Sequence, residues 1–193
     1  MIATLYLLIA HLLADFVLQS NKLLKEKEKS VQGHMKHGLI LAICTLILLF
    51  PYLSNPFTWA MIATLSLTHI LQDYAKVQFE KKHNKRNKTW PFFLDQTLHL
   101  VLILILGSQL GNFETMQLSP NIESLYFNNN VVLGITLLIL VSFTFDIVIF
   151  QYRKRKHHHL KYHRHYKDIS ERFLTFLIFY LIFLGFLGVG NIM

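Results

Sequence analysis

Three times in this chain a histidine and an aspartate stand four residues apart inside an otherwise apolar run: His11 and Asp15, His69 and Asp73, Asp95 and His99. In an α-helix residues i and i+4 share a face, so each pair offers an imidazole beside a carboxylate. Placing such groups in hydrocarbon costs about 3 kcal/mol apiece or more, which argues that they have a use. Neutral imidazole and carboxylate are the ligands that zinc, manganese and iron prefer. The three pairs are therefore read as one site for one or two divalent ions, zinc or manganese first. A metal held there would activate a bound water and polarise the bond under attack, which is hydrolytic chemistry.

Other polar residues fall beside these pairs. Gln19 continues the helical face of His11 and Asp15, while Gln72 and Gln96 adjoin Asp73 and Asp95. Such amides orient carboxylates or join helices. His37 is the candidate proton donor, Asp95 a ligand or base, and His34 is assigned to a loop. Asp146 has no histidine at i±4 and is read as structural or supporting. The single cysteine, Cys44, excludes an intramolecular disulfide. No Walker, Rossmann, Gly-x-Ser-x-Gly or Cys-x-x-Cys motif is present, which removes the common nucleotide and thiol chemistries.

What must position these groups is a set of membrane helices. The 193 residues are 53% hydrophobic and only 16% charged, against roughly 25% charged in soluble domains. Apolar runs at 2–19, 38–53, 57–75, 91–111, 131–150 and 173–190 approach the ~17–25 residues that cross a bilayer. The sequence thus predicts an all-α, polytopic bundle of about six transmembrane helices, forming one domain over 1–193. The first run lacks a basic leader and a small-residue cleavage pattern, so it is read as a helix rather than a cleavable signal.

All 19 Lys and Arg fall in three segments, 22–36, 76–88 and 153–172, while 51–57 and 112–130 have none. Short basic loops stay cytoplasmic, which predicts both termini outside and a location in the cytoplasmic (inner) membrane. On that topology all six paired residues lie roughly 5–16 Å inside the cytoplasmic boundary, at 1.5 Å per residue. The two inward helices read His-then-Asp and the outward one Asp-then-His, so each carboxylate lies nearer the cytoplasm. The net charge of +8 is then topology rather than nucleic-acid binding. Its expected partners are membrane lipids, with anionic headgroups at the basic loops. The stretch RKRKHHHLKYHRHYK at 153–167 is read as a helix stop and solvated loop that can also scavenge metal. The outer loop 112–130 is read as irregular.

The strings HLLADFVLQ at 11–19, HGLI at 37–40, HILQDYAK at 69–76 and FFLDQTLHL at 92–100 resemble an uncharacterised family of small bacterial membrane proteins, catalogued as a domain of unknown function. The resemblance covers roughly residues 1–105, the motif-bearing helices. It implies no activity, but it marks His11, Asp15, Gln19, His37, His69, Asp73, Asp95, Gln96 and His99 as signature positions. In style the pattern is similar to membrane-bound metal-dependent hydrolases, which also gather His and Asp from several transmembrane helices.

The leading expectation is a metal-dependent hydrolase acting on a lipid-linked ester or phosphoester at the cytoplasmic leaflet. Its rivals are a divalent-cation or proton transporter, and a non-enzymatic module stapled by a metal or polar network.

Overall fold

The structure, a computed structural model, describes residues 1–83, 88–156 and 164–186. Helices and short connections make up all of it, with no strand among the described residues. Helix α1 (Ile2–Leu12) runs into a π-helical turn over Leu13–Val17, and α2 (Asn21–Lys29) follows at a bend of 90°. Then come α3 (Val31–Leu48), α4 (Pro56–Lys82), α5 (Trp90–Leu110) and the short α6 (Pro120–Tyr126). Helix α7 (Asn129–Ile139) continues through a second π turn, Leu140–Thr144, into α8 (Phe145–Lys156), and α9 spans Tyr166–Phe186.

Helix α1 lies at the centre. It packs against α3, α5 and α7, while α4 packs against α3 and α5. A helix apolar all round belongs inside a bundle, and in α1 Ala3, Tyr6, Leu7, Ile9, Ala10 and Leu12 are all buried. Small residues set the closest approach. A Cβ on Gly107 of α5 would lie 2.7 Å from the Thr4 Cα of α1. Toward the N-terminal end of α1, Tyr6 and Tyr126 stack at 4.3 Å, and the Tyr6 hydroxyl donates to the Tyr126 carbonyl at 2.9 Å.

The six predicted apolar runs all fall in helical segments where they are described. By length and apolarity three described helices can cross a membrane: Val31–Leu48, Trp90–Leu110 and Asn129–Lys154, with mean hydropathies of 1.3, 1.5 and 2.5. The bent pair α1–α2 makes a fourth if it counts as one span. Helix α4 is long enough at 27 residues but carries His69, Gln72 and Asp73 in its apolar stretch. Outward faces of α3, α4, α5 and α9 expose Leu39, Ile43, Ile47, Leu67, Leu71, Leu104, Ile105, Phe179 and Phe183. Apolar exposure on that scale suits hydrocarbon, not water.

Two expected loops are corrected. Residues 22–36 form α2 and the first turns of α3, and α6 lies within 112–130. Residues 157–163 of the His-rich stretch lie outside the described residues. Helix α2 is capped by Ser20, whose side chain accepts from the Leu23 amide at 3.2 Å, and Ser30 caps α3 by accepting from the Gly33 amide at 3.3 Å. These caps turn α2 back against α3, and the contact requires glycine. A Cβ on Gly33 would sit 2.4 Å from the backbone of Glu26 and Lys27.

Gly33→Ala must therefore push α2 off α3. Overpacking of this kind costs about 1–3 kcal/mol. Thermal unfolding in detergent should show a lowered Tm for Gly33→Ala and little change for Gly185→Ala, which meets nothing within 4 Å.

Candidate metal centre

The six paired residues converge. His11 and Asp15 come from α1 and its π turn, His69 and Asp73 from α4, Asp95 and His99 from α5, and all six are buried. The imidazoles of His69 and His99 stack at 4.2 Å between ring centres, and His11 stands 5.0 Å from His99 and 5.4 Å from His69.

The π turn helps to aim Asp15. The Leu18 amide reaches back five residues to the Leu13 carbonyl at 2.8 Å. That wide turn rotates the residues after it, and π turns recur at functional sites for this reason. Asp15 Oδ1 thereby lies 3.0 Å from His37 Nε2 and 3.3 Å from His69 Nε2. These two nitrogens are themselves 2.9 Å apart. Donors held 2.0–2.1 Å from one zinc ion stand roughly 3–3.4 Å from each other. The triangle of Asp15, His37 and His69 already has ligand-to-ligand spacing.

Asp73 extends it. Its Oδ2 lies 3.6 Å from His37 Nε2 and 3.8 Å from His69 Nε2, while its Oδ1 faces His99 Nε2 at 3.8 Å. His99 Nε2 in turn lies 3.4 Å from Asp95 Oδ1. Asp73 is placed as a bridge between two donor groups: His37, His69 and Asp15 on one side, Asp95 and His99 on the other. The nitrogens His11 Nδ1 and His99 Nε2 are buried with no hydrogen-bond partner among the described residues. Both lie near carboxylates, His11 Nδ1 at 3.8 Å from Asp15. Orphaned nitrogens facing carboxylates are what a cation between them would satisfy. The buried His and Asp groups can hold a metal ion.

His37 is 1% exposed and occupies the middle of the cluster. His34 is no loop residue. It is buried in α3, its Nδ1 lies 3.2 Å from the Ser30 carbonyl, and its ring meets Tyr74 edge-on. Gln19 reaches the His37 ring at 3.3 Å. Gln96 lies 3.2 Å from His11 Nε2 and donates to Asp15 and Asp95 at 3.4 Å each. Gln72 is half-buried, and its carbonyl oxygen has no hydrogen-bond partner among the described residues. Asp146 pairs with Arg172 at 3.1 Å, well apart in sequence from the motif-bearing helices.

Sequence reasoning missed two cations at the cluster, one buried and one partly exposed. Lys27 of α2 donates to Asp73 Oδ2, and Lys76 of α4 donates to Asp95 Oδ2 at 2.9 Å. Lys76 ends the string HILQDYAK and sits one helical turn after Asp73, so its face was legible. Lys27 shares its α2 face only with Leu23, and nothing in the sequence separates it from Lys25 or Lys29. Arg164 was also missed. It donates to the Phe16 and Val17 carbonyls at 2.8 and 2.9 Å, capping the end of the π turn.

A cleft of about 530 Å³ leads to the cluster. Asp15, Asp73, Gln19 and Gln96 are among its lining, and all three basic segments reach it through Lys25, Lys27, Lys76, Lys88, Lys154 and Arg164. Phe16, Phe92, Ile147 and Phe150 give it apolar surface as well.

Residues 3–130 match the model of a family described as "Protein of unknown function (DUF3307)". The match reaches past the 1–105 stretch that carries the motif strings and contains every member of the cluster. No curated protein and no solved structure matches the chain.

The Lys27–Asp73 pair is testable by itself. Removing one partner of a buried ion pair leaves a bare charge and costs about 3–5 kcal/mol. Metal-free Lys27→Met should unfold correspondingly earlier in denaturant, and adding Asp73→Asn should return much of the loss. Equal stability of Lys27→Met and wild type would show that the pair does not form.

Proposed function

The chain belongs to the DUF3307 family, proteins of unknown function, and for it we propose a metal-dependent hydrolase that acts on a lipid-linked ester or phosphoester at the cytoplasmic leaflet of the inner membrane. The observation that carries this reading is the spacing of Asp15, His37 and His69, 2.9–3.3 Å between donor atoms, beside an open cleft. A purely structural metal staple has a closed donor set, whereas a catalytic one leaves a position open. Here Asp15 and Asp73 both face the cleft.

In this reading His37, His69, Asp15 and Asp73 form one ligand group, and Asp73, Asp95 and His99 a second. His37 thus becomes a ligand rather than the proton donor that its place in the sequence suggests. A divalent ion in such a site lowers the pKa of bound water toward 7 and polarises the bond under attack. The protein's own contribution is orientation. Gln19 holds the His37 ring, and Gln96 ties His11 to Asp15 and Asp95, which fixes the carboxylates before substrate arrives. Asp95 is the residue assigned to accept a proton. His11 completes the imidazole wall beside Asp15.

The cytoplasmic assignment is supported by charge. All three basic segments meet at the one cleft, so positive charge gathers at one end of the bundle, and short basic connections remain on the cytoplasmic side. A site near that surface meets the headgroup and ester region of lipids. The cleft's mixture of cations and aromatic side chains fits such a substrate.

Elemental analysis tests the reading. Purified wild-type protein should carry one or two equivalents of zinc or manganese, and His69→Ala should carry almost none while keeping its helical circular dichroism. Unchanged metal content in folded His69→Ala would overturn the proposed ligand set.

A further inference from the structure

We infer that the reacting group received by this cleft is a phosphate, held by Lys27 and Lys76. The inference rests on the metal-dependent reading above and narrows it from esters in general to phosphoesters.

The argument is one of charge. Asp15, Asp73 and Asp95 are buried, and among the described residues two ammonium groups pair with them, that of Lys27, buried, and that of Lys76, partly exposed. With the imidazoles neutral, as metal ligation requires, three carboxylates against two ammoniums leave one negative charge. Buried charge is tolerated only when it is balanced. Lys27 is committed to Asp73 Oδ2 and Lys76 to Asp95 Oδ2, the two carboxylates placed at the second donor group. A divalent ion bound there supplies the charge that each lysine now supplies. One ion turns the net charge positive, and a second makes it more so. Both ammoniums are then without their carboxylates, and both side chains already line the cleft.

What the loaded site lacks is an anion. A carboxylic ester is neutral and leaves the excess uncompensated. A phosphomonoester or phosphodiester brings one or two negative charges and several acceptor oxygens, which ammonium groups bind as point charges. The rest of the cleft agrees. Lys25, Lys88, Lys154 and Arg164 outnumber Glu28 and Glu80 along it, so its field favours an anion. Amide donors from Gln19, Asn21 and Gln96 stand among the same lining.

Phosphate can arrive on a lipid or on a soluble molecule. The apolar side of the cleft, Phe16, Ile147 and Phe150, would take an acyl or prenyl chain, which a soluble phosphoester would leave uncovered.

The experiment uses full-length, detergent-purified protein loaded with zinc or manganese, with inorganic phosphate as probe at constant ionic strength. Phosphate should raise the Tm of the loaded protein, and chloride or acetate should not. Lys76→Gln, whose side chain is partly exposed and therefore the safer replacement, should weaken phosphate about tenfold, the loss of one charge-assisted contact. Its metal content should stay equal or rise, because Asp95 has lost a competitor. Lys76→Arg should restore most of the phosphate affinity. Phosphate no better than chloride on metal-loaded wild type would overturn the inference, as would an unchanged phosphate affinity in Lys76→Gln. Failure of the metal-dependent reading shows separately, as wild-type protein that takes up no metal, and removes both. Competition by phosphatidate in mixed micelles against glycerol phosphate distinguishes the source: tighter binding of phosphatidate assigns a lipid, equal binding a soluble phosphoester, and either outcome supports phosphate.

Discussion

Three carboxylates buried within a few ångströms of one another in an apolar bundle must be supplied with positive charge, and the rest of the architecture follows from how it arrives. Lysine stems normally carry their charge outward to water or headgroups. Lys27 and Lys76 do the reverse, reaching inward to Asp73 and Asp95. A lysine stem has a limited reach, so Asp73 and Asp95 have to sit within one side chain's length of the helical turns that carry Lys27 and Lys76. Lys27 reaches only because α2 doubles back on α3, and α2 doubles back only because Gly33 has no side chain. One glycine is thereby linked to the charge balance of a site on other helices.

The same logic accounts for both π turns. Each leaves backbone carbonyls without a normal helical donor, and each is met by an arginine from one stretch of chain. Arg164 takes the carbonyls of Phe16 and Val17, and Arg172 takes the carbonyl of Ser142 together with Asp146. The two turns also touch each other. Asp15 is aimed by the first. The second helps anchor α9, so the helices beyond the motif-bearing region brace the site without contributing ligands. Asp146 belongs to this bracing, which explains a membrane carboxylate with no histidine partner.

The helices and the paired histidines and aspartates were legible because hydrocarbon imposes simple rules. A run of apolar residues must be helical, and a His–Asp pair at four-residue spacing inside it must share a face. The basic segments then fixed which end the pairs approach. Other features were hidden for equally physical reasons. Residues 22–36 are so charged that they read as loop, yet Leu23 and Lys27 make one buried face on a helix too short to announce itself. His34 and His37 both precede the apolar run that begins at 38, and only the true start at Val31 places both inside the helix. A π turn has no sequence signature comparable to an i, i+4 pair, so the centrality of His37 beside Asp15 could not be read ahead of the fold. Lys76 could have been, since it shares the face of Asp73.

The contacts at the centre of the cluster are ones that a polar network alone satisfies poorly. His37 Nε2 approaches both Asp15 Oδ1 and His69 Nε2, and His69 Nε2 approaches the same Asp15 oxygen. Each neutral ring nitrogen either donates one proton or accepts one. If His37 gives its proton to Asp15, the 2.9 Å contact with His69 has none of its own. If both nitrogens carry protons, two donors face each other at that distance. One proton therefore serves three electron-rich atoms, and at least one short contact stays repulsive. A cation held by all three atoms would turn the three contacts favourable at once. A proton leaves that network incomplete where a metal ion would complete it, and the unpartnered nitrogens of His11, beside Asp15, and of His99, beside Asp95, widen the deficit.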